Sequence, residues 1–328
     1  MGQTVVVVVN GEVLANGHGS TISDQRLNAA CLSDGLLPLF NSALRLAVLH
    51  GNKPQVGFVL FRSELSSHVL HTVPLDVCGA DTQGATGYIL AQAFRNTLRA
   101  NSIERRVTSV ITETLVEADP AAPQTLRAIG PVFDREKAEQ FRQTRGWSML
   151  NEAGTGFRRG VPAYSPKEVL EMESIKQLVT SDDIVIAGGG GGIPVIRNAQ
   201  GALEGVEAVV YTEQVADIFA KQLQASVMLM VIEGDEKFLL SGFSTEAANY
   251  LSLAELSARL ERARFQSSTV QSKLQAAHKF LQEGGEQVVI TTLRKLPEVF
   301  SRQSGLRLGS PSPSISLFRI EEKVPQSW

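Results

Sequence analysis

The sequence predicts a doubly wound α/β fold, on three observations. Short, unbroken β-branched runs recur along the chain. Amphipathic helix patterns with identifiable starts lie between them, and glycine follows several of the runs at their carboxyl ends. A packed core is feasible, because hydrophobic residues make up 43% of the 328 residues and charged residues only 20%.

The first run is the five valines at 5–9, ending at Asn10-Gly11. A β-branched run that short and that continuous reads as a strand buried on both faces, which is typical of parallel sheets. Residues 45–49 form a second strand, stopped by His50-Gly51-Asn52-Lys53-Pro54, where Pro54 suits the first turn of a following helix. The same grammar returns at 183–187 before the glycines at 188–192, and at 226–232 before Glu233-Gly234-Asp235. It returns again at 287–291, with a helical pattern starting near Thr292. Ser165-Pro166-Lys167-Glu168 and Ser252-Leu253-Ala254-Glu255 both read as capping boxes that open helices. Residues 269–281 place Leu274, Ala277 and Leu281 on one helical face. Residues 119–164 break the rhythm with turn-rich Asp119-Pro120 and Gly130-Pro131, and read as a subdomain protruding from the sheet edge. Residues 310–328 read as a C-terminal tail.

Charge and composition exclude several classes of function. The 31 Lys and Arg against 34 Asp and Glu give a net charge of −3, without the excess of basic residues that nucleic acid or an anionic membrane needs. Cys31 and Cys78 are too few for a disulfide framework or a cysteine-rich zinc site. No apolar run approaches the roughly 20 residues of a membrane span, and the start has no leader pattern. A soluble, cytoplasmic protein is expected, with no membrane or nucleic-acid partner and no residue assigned as a metal ligand.

In open α/β sheets, ligands bind beyond the carboxyl ends of the strands, where helix N-termini offer unpaired N–H groups to anions. Glycine stands at three such places: Gly11, Gly51 and the run at 188–192. A single glycine is an ordinary turn residue, but five in succession carry a large ordering entropy. Close approach of the backbone to a ligand is the usual compensation, and a tight turn with close strand–helix packing is the alternative. The G-x-G-x-x-G dinucleotide fingerprint with a downstream acidic residue is not met, which argues against NAD.

Taken in order, His50-Gly-Asn-Lys-Pro-Gln-Val-Gly57, Pro74-Leu-Asp-Val-Cys-Gly-Ala80, Thr82-Gln-Gly84 with Gly87-Tyr88, Ile129-Gly-Pro131, Gly189-Gly-Gly-Gly-Ile-Pro-Val195 and Gly205-Val-Glu-Ala-Val209 resemble the carbamate kinases of the amino acid kinase family. The resemblance runs from Val5 to about Leu308. It implies a three-layer αβα sandwich with a mostly parallel sheet, spanning residues 1–309 with the subdomain at 119–164 inserted, and a homodimer. It also implies reversible phosphoryl transfer between ATP and carbamate with Mg²⁺, giving carbamoyl phosphate and ADP, within arginine and nitrogen metabolism.

The resemblance assigns roles residue by residue. Arg127, Lys273 and Lys53 are the catalytic candidates. Gly11, His50, Gly51, Asn52, Gly189, Gly190 and Gly191 are the substrate and phosphate candidates, and Thr212, Glu213, Asp235 and Lys273 the nucleotide candidates. Several positions depart from the family pattern, among them a lysine that Arg127 replaces with its charge kept. Glu12 stands where the family has asparagine, Lys53 where it has glycine, and Thr212 where it has lysine. Lys273 survives from a glycine-rich motif whose glycines are gone. A unit charge at 4 Å is worth about 4 kcal/mol at an effective dielectric of 20, so these exchanges bear directly on rate. Lys53 either restores a charge or pairs with Glu12. Two readings result: a carbamate kinase-like phosphotransferase, or a catalytically impaired relative serving as a binding or regulatory subunit. A kinase with a different acceptor, cationic or neutral because of Glu12, is a third.

Overall fold

The computed structural model describes residues 3–15, 21–117, 125–152, 156–234, 250–262, 268–301 and 304–311. Its main sheet has eight strands in the order β14-β16-β15-β13-β1-β2-β9-β3. These are β1 (Thr4–Val9), β2 (Arg45–His50), β3 (Val107–Ser109), β9 (Ile184–Ile186), β13 (Val227–Ile232), β14 (Tyr250–Leu251), β15 (Gln287–Thr292) and β16 (Leu306–Gly309). All neighbours run parallel except β15 and β16, which are antiparallel. The described helices are α1 (Gly11–Ala15), α2 (Ile22–Gly35), α3 (Leu37–Phe40), α4 (Lys53–Leu65), α5 (Leu75–Ala100), α6 (Arg135–Arg145), α7 (Met172–Thr180), α8 (Thr212–Gln222), α9 (Leu253–Arg262), α10 (Ser268–Gln282) and α11 (Leu296–Val299).

The valine run explains the layering. Every residue of β1 is buried. Successive side chains point to opposite faces of a sheet. Val6 and Val8 join one core with Phe219 of α8 and Leu274 of α10. Val5, Val7 and Val9 join a second core with Leu32 of α2 and Phe94 of α5. Helices therefore cover both faces, as a parallel sheet requires. β1 has β2 on one side and β13 on the other, so the chain winds outward in two directions from it. That switch point opens a crevice beyond the carboxyl ends of these strands.

Two smaller sheets flank the large one. One orders β11 (Leu203–Gly205), β10 (Ile193–Arg197), β4 (Glu113–Val116) and β8 (Pro166–Val169). The other pairs β12 (Val209–Val210), β7 (Gly156–Tyr164) and β5 (Thr125–Phe133), with β6 (Ser148–Glu152) against β7. Residues 125–152 and 156–164 thus supply three of the four strands of a separate sheet, whose aromatic core of Phe133, Phe141 and Trp147 also takes in Phe61 of α4. Gly57 of α4 lies so close to Gly130 of β5 that any Cβ would overlap its backbone, which brings Arg127 toward the crevice. Arg158 pairs with Glu152 at 3.0 Å, and Arg159 pairs with Glu64.

The Ser252 capping box forms as its pattern predicts, with Ser252 Oγ accepting from the Glu255 amide at 3.3 Å. The Ser165 box does not form. Residues Pro166–Val169 are the strand β8, and the helix begins only at Met172. Antiparallel pairing with β4, which places Thr114 opposite Val169 and Leu115 opposite Glu168, outweighs the local helix signal. Residues 118–124 and 312–328, the start of the predicted subdomain and most of the predicted tail, lie outside the described residues.

Candidate active site

The crevice holds a narrow cleft lined by Asn10, Gly51, Asn52, Lys53, Arg127, Gly190, Thr212, Glu213 and Lys273, with valines 8, 9, 56, 209 and 210. Six separate stretches of sequence supply these residues, and the fold brings them to one mouth. Two helices start there, α4 at Lys53 and α8 at Thr212. Neither carries a side-chain cap, so their first N–H groups remain available to an anion.

The glycine run forms one tight turn beside the cleft. Gly189–Gly191 is a single 3₁₀ turn, with Gly191 N–H donating to the Gly188 carbonyl at 3.0 Å. Gly190 has a φ of +67°, and a Cβ there would drive into the Asn52 amide. Only glycine meets both demands. Asn52 is fixed in turn by donating from Nδ2 to Thr82 Oγ1 at 2.7 Å. Gln83, the next residue, bridges to Thr112 by two bonds, at 3.0 Å to its carbonyl and 2.8 Å from its amide. Thr112 Oγ1 accepts from the Gly188 amide at 2.9 Å. The sequence marked Thr82-Gln83 only as part of the resemblance; their role in bracing the glycine turn needs the fold to be seen.

Three cations and one carboxylate share the cleft lining, which leaves it net positive. Lys273 is 4% exposed and forms an ion pair with Glu213. Burial alone would raise the Glu213 carboxyl, but Lys273 and then Lys53 overcome it and hold it down at about 2. Lys53 is half-buried, and its ammonium is pushed below the ordinary lysine value by burial and by Arg127. Glu12 and Glu213 oppose that shift. The Arg127 guanidinium stacks over the Tyr211 ring, 4.2 Å from the centroid. The pairing of Glu12 with Lys53 raised from the sequence is not made at Oε2 of Glu12, which is buried without a hydrogen-bond partner.

The structure brings Arg127, Lys273, Lys53, Gly51, Asn52, Gly190, Thr212 and Glu213 together at the cleft. Gly11, His50, Gly189 and Gly191 are not among its lining residues. Gly11 sits against the Gly51 backbone, where a Cβ would clash, and so lets two loops touch. His50 is 2% exposed, its Nδ1 3.3 Å from the Gly51 carbonyl, and burial lowers its pKa to about 4. It is neutral at physiological pH and fills the space beside Gly189. Gly191 abuts Val210, and its carbonyl accepts from Thr114 Oγ1 at 2.8 Å. Asp235 lies outside the described residues.

Comparison with known proteins gives a consistent picture. No family model matches the chain. It is 32% identical over 313 residues to carbamate kinase of Pyrococcus horikoshii, covering 94% of this chain and 99% of that one. Among solved structures, carbamate kinase from Giardia lamblia bound to citric acid superposes with a TM-score of 0.85 at 26% identity, over 94% of this chain and 99% of that one. The same Giardia enzyme bound to AMP-PNP gives a TM-score of 0.79 at 26% identity and the same coverage.

Proposed function

The chain belongs to the carbamate kinase family, and we propose that its cleft carries out that family's reversible phosphoryl transfer between ATP and carbamate, giving carbamoyl phosphate and ADP. A carbamate oxygen forms the new bond to the γ-phosphorus as the bond to the ADP oxygen breaks. The protein needs no covalent step. It must hold two anions in line and neutralise the charge that spreads over the transferring group.

One observation carries the proposal: Lys53, Arg127, Lys273 and the glycine turn at Gly190 converge on a single cleft at the sheet's switch point. Lys53 and Arg127 face the transferring phosphoryl oxygens, and Lys273, held by Glu213, meets the nucleotide phosphates. Thr212 and Glu213 open α8, whose uncapped N-terminus adds N–H donors on the nucleotide side. Gly51, Asn52 and Gly190 let the backbone come close to phosphate. Gly11, His50, Gly189 and Gly191 shape that backbone from behind. Among the described residues no group of three His, Cys, Asp or Glu could hold a metal ion. These residues do not form a protein cage for Mg²⁺. The ion belongs, in this reading, to the ATP phosphates, where Mg²⁺ commonly resides.

A homodimer belongs to the same proposal. Val77 and Tyr88 lie three turns apart on one face of α5 and are 44% and 52% exposed. In this proposal a second copy covers these two exposed apolar side chains. Light scattering on the intact protein and on Tyr88→Glu checks this, with a dimer expected only for the former. No described helix is long and apolar enough to cross a membrane.

The decisive experiment pairs calorimetric titration with ADP and an assay of ATP formation from carbamoyl phosphate. Binding with turnover is expected. Binding without turnover would return the non-catalytic reading, and no binding at millimolar ADP would remove the nucleotide site.

A further inference from the structure

We propose that Tyr211 is a positioning residue for phosphoryl transfer: its ring face holds the Arg127 guanidinium at the cleft with its N–H edge free for phosphoryl oxygens. The proposal rests on the phosphotransfer reading above and adds the residue that aims one of its cations.

Arg127 and Tyr211 come from different parts of the small sheet. Arg127 lies in β5 and Tyr211 follows β12 directly, and β7 stands between these two strands. The side chains close that gap themselves, with the Arg127 guanidinium carbon 4.2 Å from the centre of the Tyr211 ring. Arg127 lines the cleft, as do Val210 and Thr212 on either side of Tyr211. Tyr211 itself is not among the lining residues, so it acts through Arg127. Its backbone is anchored, because the Tyr211 carbonyl accepts from the amides of Gln214 at 3.0 Å and Val215 at 3.2 Å in the first turn of α8. Its side chain makes no capping hydrogen bond to that helix, which leaves the ring face to Arg127.

The kind of partner matters. An arginine side chain has several rotatable bonds, and Lys53 is close enough to feel the like charge of Arg127. Left to itself, the guanidinium would be driven away from Lys53 toward water. A carboxylate would hold it, but would also neutralise the charge that a phosphoryl group needs. An aromatic face attracts a cation through its quadrupole without adding a formal negative charge. The guanidinium is planar and its donors lie in that plane, so a ring against one face leaves them at the edge. Lys273 shows the other solution, held by the Glu213 carboxylate. The cleft thus keeps one cation paired by charge and one, Arg127, oriented without a counter-ion from Tyr211. A cation held in place in this way stabilises charge that develops during transfer at low reorganisation cost.

The test is a double-mutant cycle on ATP formation from carbamoyl phosphate and ADP in the intact protein, with kcat expressed per ADP-binding site counted by calorimetry. Tyr211→Phe keeps the ring and should retain kcat within about twofold. Tyr211→Leu and Tyr211→Gln remove it and should each lower kcat about tenfold, with the KM for ADP nearly unchanged. Arg127→Met should lower kcat about 100-fold. In that background Tyr211→Leu should lower it no further, because the group that the ring positions is gone. An undiminished kcat in Tyr211→Leu and Tyr211→Gln overturns the proposal, and so does an equal loss in Tyr211→Phe. The same loss from Tyr211→Leu in the Arg127→Met background also overturns it, since the ring would then act without Arg127. If neither Tyr211→Leu nor Tyr211→Gln folds, the ring is a structural element and the proposal falls. Absence of turnover in the wild type overturns both this proposal and the phosphotransfer reading, whereas the variant outcomes overturn this one alone.

Discussion

Lys273 and Glu213 form a buried ion pair in the wall of the cleft, joining α10 to the first turn of α8. The pair places one cation of the site on a helix and fixes its ammonium from a second helix. Glu213 also feels Lys53 across the cleft, so one carboxylate balances two of the three cations. The geometry is that of a charge held ready for an anion at low reorganisation cost.

Glu213→Gln should cost about 3 kcal/mol of stability, because it leaves the Lys273 ammonium buried without its partner. Urea unfolding at neutral pH checks the value. The carboxyl titrates at about 2, below its ordinary 4.5. A depressed carboxyl stabilises above its unfolded value and loses that contribution as pH falls through the folded one. The difference between wild type and variant should therefore hold from pH 8 to pH 5 and shrink only toward pH 2.

Gly190→Ala should abolish ADP binding with little loss of helical circular dichroism. The added methyl meets Asn52 and the positive φ adds strain, about 1–3 kcal/mol for a non-glycine residue. The turn must then move away from Asn52 and Thr82, and the cleft loses its shape. Unchanged ADP affinity by calorimetry would show that the turn does not approach the nucleotide.

Much of this architecture is legible in the sequence, and the reasons are local. The valines of β1 announce a strand buried on both faces because only a doubly covered sheet can bury them all. The Ser252 cap and the Pro54 start depend on neighbouring residues and form as read. The Ser165 signal misleads because a strand far along the chain, β4, claims the same residues. At the site, charge and glycine mark Lys53 and Gly190, which follow the ends of β2 and β9, whereas Arg127 within β5 and Lys273 within α10 reach the cleft only through the fold. His50 is not distinguishable from a ligand by sequence: its neutrality and its place behind Gly189 follow from burial, which only the folded chain defines.

Lys53 should set the alkaline limit of the reaction. In the proposed reaction its charged form meets the phosphoryl oxygens, and burial with Arg127 nearby lowers its pKa below the ordinary 10.5. Activity that needs the ammonium is present at neutral pH and falls as pH rises through the depressed value. Lys53→Arg should move that limb upward, since a guanidinium stays charged. Lys53→Met should reduce kcat/KM about 100- to 1,000-fold at neutral pH, the effect of removing one donor aimed at developing charge. A pH–rate profile for the three proteins with carbamoyl phosphate and ADP checks both, and an alkaline limb unmoved in Lys53→Arg would assign it to another group.

Asp217 should oppose folding at high pH. It sits on α8 with 4% exposure, its Oδ1 buried without a partner and its Oδ2 3.5 Å from Lys279. Burial raises its carboxyl to about 7; Lys279 pulls it down only partly, and Glu283 and Glu213 push it further up. A carboxyl raised in the folded state favours folding most below its unfolded value of 3.8, and that advantage disappears as pH rises toward 7. A shift of about 3 units corresponds to up to about 4 kcal/mol against folding once the group is ionised. Asp217→Asn keeps the shape and removes the charge, so it should stabilise the protein by a few kcal/mol at pH 8, less whatever the Lys279 contact supplies. Near pH 4 the two proteins should unfold at nearly the same urea concentration. A variant less stable than wild type at pH 8 would mean that the ion pair with Lys279 outweighs the burial of Asp217, and the sign of the pH dependence would reverse.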